Sequence, residues 1–139
     1  MTNAAHKLTV ATGGKGLYEF TGEVERWVSS LRIATGLLTV FVQHTSASLV
    51  IQENADPDVQ TDLKRFFERL APEDPRLYVH SIEGPDDMPA HIRSALTQTS
   101  LTIPIVNSEL ALGTWQGIYL FEHRSGPHRR GIVLHAAGE

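Results

Sequence analysis

The sequence predicts an α+β fold, a compact single domain in which three helices pack on a mixed, largely antiparallel sheet. Runs typical of strands alternate irregularly with helical patterns, without the strict strand–helix–strand order of a parallel α/β fold. The helical pattern is clearest where apolar residues recur at Val24, Trp27, Val28 and Leu31, the spacing of one buried helix face. A chain of 139 residues can bury a core of its own, so we assign residues 1–139 to one domain.

Composition limits the kinds of site that the chain can carry. It has no cysteine, so disulfides and thiolate ligands are excluded, and a transition-metal site must use histidine or carboxylate ligands. The net charge is −4, and no run of lysine and arginine has the length of a nucleic-acid-binding arm. No apolar run approaches the roughly 20 residues that span a bilayer, and no apolar signal core follows Met1. We therefore expect a cytoplasmic protein that binds neither duplex nucleic acid nor membranes.

Seven segments have the composition of strands. They are Lys7–Ala11, Leu17–Phe20, Leu37–Gln43, Leu49–Ile51, Leu101–Val106, Trp115–Glu122 and Gly131–His135. The segment Leu37–Gln43 is nearly all apolar and β-branched or aromatic, which predicts a strand covered on both faces. Pro104 predicts an edge position or a bulge for its strand, because proline cannot donate to a ladder.

Each predicted helix begins at a capping residue. Thr21 caps the first helix, and Asp86 or Asp87 caps the third, which runs to about Gln98. The second begins at Asn54-Ala55-Asp56-Pro57, where a capping residue precedes a proline at the first helical position. Its spacing turns five apolar residues inward, namely Val59, Leu63, Phe66, Phe67 and Leu70.

The segment from Tyr78 to Ile92 is the richest in site chemistry. It sets His80, Glu83, Asp87 and His91 around a Gly-Pro turn, a combination that is poor core material. If His44 converges on His80 and His91, three neutral imidazoles would hold Zn²⁺ and leave one position open, as in hydrolytic and Lewis-acid sites. A nearby carboxylate would orient the ligands. The spacing leaves the alternative of ordinary loop histidines open, because His80 and His91 are not an i, i+4 pair.

The remaining candidates for substrate contacts each have a structural alternative. Thr45, Ser46 and Ser48 could bind phosphate, or they could satisfy their own backbone. Arg129 and Arg130 could clamp a phosphate, or they could form a solvated strand edge.

A second group of candidates lies around the segment from Trp115 to Glu122. Trp115, beside Gln116, could stack on a ligand or belong to the core. Asn54 could bind substrate or simply cap its helix. Glu122 could act as a general base or pair with an arginine on a neighbouring strand. We assign the other histidines outside the site, His6, His128 and His135, to the surface.

The chain resembles the YjbQ family of small bacterial and archaeal proteins in three strings, QHTSASLVIQENADPDVQTDLKRFF, EGPDDMPAHI and GTWQGIYLFEHR followed by RR. The resemblance implies a compact α+β homotrimer with a weak thiamine-phosphate synthase activity. That reaction joins a pyrimidine pyrophosphate to a thiazole phosphate with loss of pyrophosphate. The resemblance also implies that the family's histidines fall on His44, His80 and His91, in agreement with the metal hypothesis.

We therefore expect a metal-binding transferase that acts on a small phosphorylated metabolite, with Glu122, Glu83 and Asp87 as catalytic groups. The cofactor would be a divalent ion, zinc at the histidines or magnesium at carboxylates as the alternative. The ion with Arg129 or Arg130 would stabilise the pyrophosphate, and Trp115 a cationic pyrimidine. The alternatives are a metal-dependent phosphohydrolase, a non-catalytic trimeric ligand-binding module, and a cluster that only joins subunits.

Overall fold

The structure, a computed structural model, describes all residues from 1 to 139. Its strands are β1 (Thr2–Gly13), β2 (Gly16–Glu19), β3 (Thr35–Val42), β4 (Ala47–Glu53), β5 (Ser100–Val106), β6 (Glu109–Leu110), β7 (Gln116–Glu122) and β8 (Pro127–Gly138). Its helices are α1 (Thr21–Leu31), α2 (Pro57–Leu70) and α3 (Asp87–Leu96), with a short 3-10 helix at Pro75–Leu77. The predicted α+β fold with three helices is confirmed. None of the helices combines the length and apolar composition needed to cross a bilayer.

The strands form two sheets rather than one, and every pairing is antiparallel. The larger sheet has the order β1-β8-β3-β5-β6, and the smaller has the order β2-β7-β4. A core of 17 buried residues joins the two sheets, with Leu38 and Val40 from β3, Ile118 and Leu120 from β7, and further residues from α1. Burial of each such side chain stabilises the fold by about 1.5–3 kcal/mol.

The prediction that the strand at Leu37–Gln43 is covered on both faces is wrong. Leu37 and Phe41 are 54% and 45% exposed, because no element of the chain packs on the outer face of the five-stranded sheet. The strand that is covered on both faces is β7. Its Leu120 faces the core, while its Phe121 meets Phe67 of α2 edge to face at 5.4 Å.

The starts of the helices confirm one predicted cap and correct two. Asp56 caps α2, since its Oδ1 accepts a hydrogen bond from the Asp58 N–H at 2.9 Å. Thr21 is the first residue of α1 instead of its cap, and its Oγ1 accepts from the Ile118 N–H at 2.8 Å. The helix α3 has no side-chain cap, because Asp86 bonds to another segment. It ends at Leu96, two residues before the predicted end.

The predicted inward face of α2 is correct only in part. Val59, Leu63 and Phe67 are half-buried, whereas Phe66 and Leu70 are each 49% exposed. The strand β5 has only the two-residue β6 on its outer side, which agrees with the edge position that Pro104 predicts. Sequence reasoning missed the hairpin that joins these two strands. Asn107 and Ser108 take φ values of 51° and 67° there, as in a type I′ turn.

Candidate functional site

Two of the three predicted histidines meet on one carboxylate at the start of α3. The Nε2 atoms of His80 and His91 lie 2.7 and 2.9 Å from Oδ2 of Asp87. Asp87 is 2% exposed, and both imidazoles are about one-third exposed. His91 lies one helical turn after Asp87 on the same face of α3, so the helix itself sets their proximity. Asp87, predicted as a catalytic carboxylate, is thus the centre of the cluster.

The hydrogen bonds of His91 fix which of its nitrogens carries a proton. Its Nδ1 lies 2.9 Å from the carbonyl oxygen of Thr45, which can only accept, so Nδ1–H donates there. Its Nε2 then faces Asp87, which is also an acceptor. A lone pair and a carboxylate oxygen at this distance repel each other unless a positive charge lies between them. The charge is either a second proton on the ring or a cation.

Arg124 and Ser125 hold the carboxylates of the cluster from the turn after β7. Asp86 accepts from Ser125 N–H at 3.0 Å and from Arg124 Nε at 3.2 Å, which explains why it does not cap α3. Arg124 Nε also lies 3.4 Å from Oδ1 of Asp87. Burial alone would raise the pKa of Asp87, but the hydrogen bond from His80 and the charges of His91 and Arg124 lower it. Asp87 is therefore ionised at neutral pH.

The third predicted ligand, His44, lies outside this cluster. Its Nε2 accepts a hydrogen bond from the Gly131 N–H at 2.8 Å, which occupies the lone pair that would bind a metal. Burial first, and then the nearby charge of Arg130, lower the pKa of His44. His44 nevertheless adjoins the cluster, because it shares with His91 the wall of a depression of about 250 Å³. The expected convergence of three histidines is replaced by two histidines and an aspartate.

Glu122 and Arg130 neutralise each other in the interior, so neither is the free group that the sequence predicted. Glu122 is fully buried, with its Oε1 2.8 Å from Arg130 Nε and 2.7 Å from the Thr12 hydroxyl. Burial alone would raise the pKa of Glu122, but the hydrogen bonds from Arg130 and Thr12 lower it. The arrangement corresponds to the structural alternative, a pair with an arginine, rather than to a general base beside a phosphate clamp. The two partners lie on β7 and β8, so this ion pair joins the two sheets.

Of the three predicted phosphate-binding hydroxyls, only that of Ser48 has a partner inside the chain. Ser48 is 1% exposed, and its Oγ lies 2.8 Å from Nε2 of His123. Thr45 and Ser46 contribute carbonyl oxygens, the first to His91 and the second to Arg130. The hydroxyls of Thr45, which is exposed, and Ser46 make no hydrogen bond within the chain, so the phosphate-binding role predicted for them stays a prediction.

Arg129 remains accessible in a polar depression of about 410 Å³, which Lys7, Gln43 and His44 also line. A Cβ atom at Gly131 would lie 3.1 Å from Cε of Lys7 and would fill part of the depression, so the glycine keeps its floor open. Neither Lys7 nor Arg129 has a carboxylate within 4.0 Å. The depression therefore presents two cations without acidic partners.

The other predicted contacts lie elsewhere. The Glu83 carbonyl accepts from Arg124 at 2.8 Å, whereas its side chain makes no hydrogen bond. Asn54, Trp115 and Gln116 lie at the far end of the three-stranded sheet, where β4 ends. The two ends of β4, Ala47 and Glu53, are six residue steps apart, or about 20 Å. Within a single chain, Trp115 therefore lies too far from the His80–Asp87–His91 cluster to share a ligand with it.

Two buried residues of chemical interest escaped the sequence analysis. His123 is 1% exposed, and burial lowers its pKa to about 3. Its position directly after an apolar strand was the only sequence signal of its burial. Arg93 is 3% exposed on the inner side of α3, and the surrounding sequence carries no signal for a buried cation.

The His80–Asp87–His91 cluster fits a divalent metal ion in ligand type and in spacing. One ligand atom from each residue lies within 4.8 Å of the others. Ligand atoms of a tetrahedral zinc lie roughly 3.4 Å apart, so the observed nitrogen–oxygen separations of 2.7 and 2.9 Å need to widen by only about 0.5–0.7 Å. A small rotation of the two imidazole rings, each about one-third exposed, would suffice. The Thr45 carbonyl bound to Nδ1 is the kind of outer partner that orients a ligand histidine.

Comparison with known proteins identifies relatives along almost the whole chain. A family model described as "UPF0047 protein YjbQ-like" matches residues 6–139. A UPF0047 protein of Synechocystis is 61% identical over 95% of this chain and 90% of its own length. The UPF0047 protein YjbQ of Escherichia coli O157:H7 is 42% identical, over 95% of this chain and 96% of its own length.

Solved structures repeat the fold. A hypothetical protein from Aeropyrum pernix K1 superposes with a TM-score of 0.88 at 33% identity and covers 98% of this chain and 99% of its own. A YjbQ/UPF0047 family protein from Clostridium acetobutylicum superposes with a TM-score of 0.87 at 32% identity, over 95% and 99% of the two chains.

Proposed function

The chain belongs to the YjbQ-like UPF0047 family, and we propose that it is a metal-dependent enzyme that acts on a small phosphorylated metabolite. The metal would be held by His80, Asp87 and His91. Zinc suits the two imidazoles, and magnesium is the alternative for the carboxylate. A divalent ion held there would supply a Lewis acid that polarises a phosphoryl oxygen.

The observation that carries the proposal is the position of the His91 ring between two acceptors. The Thr45 carbonyl takes the Nδ1 proton, and Asp87 faces Nε2 at 2.9 Å. His80 directs its own Nε2 at the same carboxylate oxygen. A cation between these three atoms would remove the repulsion and satisfy all of them.

The polar depression beside His44 supports a phosphorylated substrate. Lys7 and Arg129 would bind the phosphate there, since both lack a carboxylate partner and an arginine can hold phosphate oxygens in pairs. His44 lines this depression and also the one that reaches His91. A substrate with its phosphate near Arg129 would thus extend past His44 to the cluster. Lys7 takes the phosphate-binding role that the sequence analysis gave to Arg130, because Arg130 is already paired with Glu122.

Two reactions use these groups, and their first products distinguish them. Thiamine-phosphate synthesis, which the family resemblance implies, releases pyrophosphate when the pyrimidine carbon bonds to the thiazole nitrogen. Hydrolysis of a phosphate ester releases inorganic phosphate instead. The far position of Trp115 removes one support for the first reaction, because within one chain this ring is too distant to stabilise a pyrimidine cation.

We also propose that the protein is a homotrimer in the cytoplasm. The outer face of the five-stranded sheet supports assembly, because Leu37, Phe41 and Val106 are each about half exposed on it. Exposed apolar groups that adjoin one another mark interaction surfaces more often than isolated ones do. Assembly would also allow a neighbouring subunit to supply an aromatic group that the chain itself does not bring to the cluster.

The test is turnover of a panel of phosphate and diphosphate esters, together with the paired thiamine precursors. The protein is first treated with chelator and then reloaded with zinc or magnesium. We expect turnover that returns with one of the metals and falls at least about 100-fold in His91→Ala, as for the loss of a metal ligand or its orienting partner. Arg65→Ala, at an exposed position of α2, is the matched control. Turnover no faster than that of a His80→Ala/His91→Ala variant would favour the non-catalytic ligand-binding module.

A further inference from the structure

The segment between α2 and α3 displays aliphatic side chains that no part of the chain covers. Val79 is fully exposed, Ile82 is 91% exposed and Leu77 is 60% exposed. These three residues, which we call the apolar loop, lie on both sides of His80, a proposed metal ligand. Several exposed apolar groups within one short segment mark a surface that binds another macromolecule, whereas single ones are common on any protein.

Hydrogen bonds at both ends hold the apolar loop in place. The Tyr78 hydroxyl donates to the Pro72 carbonyl at 2.7 Å, and Arg124 Nη2 donates to the Glu83 carbonyl at 2.8 Å. The exposed aliphatic groups therefore lie on an ordered support, which lowers the entropy that is lost when a partner binds.

The outer face of the five-stranded sheet has the composition of a matching surface. On its four long strands, β1, β8, β3 and β5, most outward side chains are apolar or carry only a hydroxyl, and a full charge occurs at Lys7 and Arg129 alone. The apolar ones include Ala5, Ala11, Leu37, Phe41, Pro104, Val106, Val133 and Ala137. A solvated face of an antiparallel sheet is usually polar, whereas depletion of charge is typical of the centre of a protein–protein interface.

The outer face is also large enough for a stable contact. Four strands about 4.8 Å apart and roughly 30 Å long present a flat area of roughly 600 Å². The relief of the side chains raises the accessible area toward the roughly 800 Å² that each partner buries in a standard interface. The face therefore has room for the apolar loop and for the elements that flank it.

Apolar and charged groups follow one another in the same order on the two surfaces. Lys7, Val133 and Phe41 lie side by side in one row across β1, β8 and β3. In the other surface, Glu83 directly follows Ile82, and its exposed carboxylate makes no hydrogen bond or ion pair within the chain. Lys7 likewise has no carboxylate within 4.0 Å. Ile82 packed on Val133 and Phe41 would therefore bring Glu83 to Lys7.

Contact of the sheet face with a second sheet face does not satisfy these groups. It would collect the Lys7 and Arg129 side chains of two copies in one interface, and no outward carboxylate of the four long strands would neutralise them. It would also leave the apolar loops of both copies in water. A contact between two different surfaces of the chain avoids both costs, and it repeats from copy to copy until a ring closes.

We propose that the apolar loop of one copy docks on the outer sheet face of the next copy, with Glu83 beside Lys7, so that the copies form a closed ring. This contact would build the homotrimer proposed above, and it rests on that proposed assembly. The depression at Lys7 and Arg129 of the receiving copy then lies against the loop that carries His80 of its neighbour. The three N–H donors of Lys7 can serve both Glu83 and a phosphate oxygen. The proposed substrate site is thus bounded by two chains.

The first test measures molecular mass by sedimentation at several protein concentrations. Val79→Lys/Ile82→Lys should dissociate the wild-type oligomer with an unchanged circular dichroism spectrum, because both side chains are almost free of contacts within the chain. Leu96→Lys, at an exposed leucine at the end of α3, is the matched control and should keep the wild-type mass. A wild-type mass in the double variant would overturn the loop contact and leave the trimer standing. A wild-type protein with the mass of a single chain would overturn both.

The second test exchanges the two charges. Glu83→Lys and Lys7→Glu should each raise the dissociation constant of the oligomer at least about 10-fold, since each variant brings like charges together. The variant that combines both changes should recover most of the lost affinity. A combined variant that dissociates as readily as the single ones would overturn the pairing of Glu83 with Lys7.

The third test locates the contact directly, through photoreactive benzoylphenylalanine in place of Val79. On a denaturing gel a cross-link between copies gives twice the chain mass of 15.3 kDa, which separates it from a cross-link within one chain. Mass spectrometry of that band should find the cross-link on peptides of β3 or β8. Cross-links confined to other elements, or to single chains, would refute the docking mode. None of the three tests measures turnover, so a protein inactive on phosphate esters can still confirm this contact.

Discussion

Replacement of the buried His123 should reduce the loss of stability that the protein suffers in mild acid. The pKa of this ring is about 3 in the folded chain, lowered first by burial and then by Arg93, against 6.5 for the unperturbed side chain. The unfolded chain therefore takes up a proton below pH 6.5 that the folded chain does not. The stability linked to this group is fully present above pH 6.5 and is lost as the pH falls toward 3.

The size of the effect follows from these two pKa values. Below pH 6 the loss approaches about 1.4 kcal/mol per pH unit, which amounts to about 2 kcal/mol between pH 7 and pH 5. The lowered pKa values of Asp86, Asp87 and Glu122 act in the same direction only at lower pH, near the range where carboxylates titrate. Between pH 7 and pH 5 the change in stability therefore reports the histidines rather than the carboxylates.

Urea unfolding at several pH values, at one protein concentration, measures this slope. In His123→Gln the side-chain amide can still bond to Ser48, and the slope between pH 7 and 5 should fall by most of the 2 kcal/mol. His135→Gln, at an exposed ring, is the matched control for a histidine-to-glutamine change. His44→Gln reports the smaller share of His44, whose pKa is also lowered. A slope in His123→Gln equal to that of the wild-type protein would refute the assignment of a neutral buried ring.

Three further predictions concern the interior, the strand pairing and the outer sheet face. Glu122→Gln should lower the free energy of unfolding measured in urea by about 3–5 kcal/mol, because it leaves Arg130 buried and unpaired. Adding Arg130→Met to the same chain should recover part of this stability. A decrease below about 1 kcal/mol in Glu122→Gln alone would contradict the ion pair. Gly138→Ala should lower the free energy of unfolding in urea by about 1–3 kcal/mol, since the added methyl group would meet the Thr35 carbonyl and lie 2.6 Å from Cα of Gly36. Gly13→Ala is the control and should change this free energy little, because its methyl group would enter open space. Phe41→Glu should lower the molecular mass measured by sedimentation, because it places a charge on the exposed apolar face of the five-stranded sheet, while the circular dichroism spectrum stays unchanged. An unchanged molecular mass would exclude this face from the contact between subunits.

The features that could be predicted from sequence are those that neighbouring residues determine. Asp56 caps α2 by accepting from the Asp58 N–H, and Pro57 follows it at the first helical position, so the whole signal lies within three residues. Strand composition located most strands, although β1 and β8 extend several residues beyond their predicted ends. Both strands are longer than predicted because β1 and β8 pair with each other over their whole length.

The errors arise where the partner lies far along the chain. His44 bonds to Gly131, which lies 87 positions away, so no local spacing could separate it from the other two histidines. The outer face of β3 is uncovered because all the helices lie elsewhere, a fact that its apolar sequence does not contain. The sequence allowed two roles for Glu122, and only the observed approach of Arg130 decides between them.

The metal content of protein purified without affinity tag or chelator tests the proposed centre most directly. Elemental analysis should find about one divalent ion per chain in the wild-type protein and none in His80→Ala/His91→Ala. His44→Ala is the decisive control, because His44 bonds to Gly131 outside the cluster, and this variant should retain its metal. Loss of the ion in His44→Ala would restore the three-histidine site instead. Absence of any ion from the wild-type protein, also after incubation with zinc or magnesium, would contradict the metal centre and leave a second ring proton as the charge between His91 and Asp87.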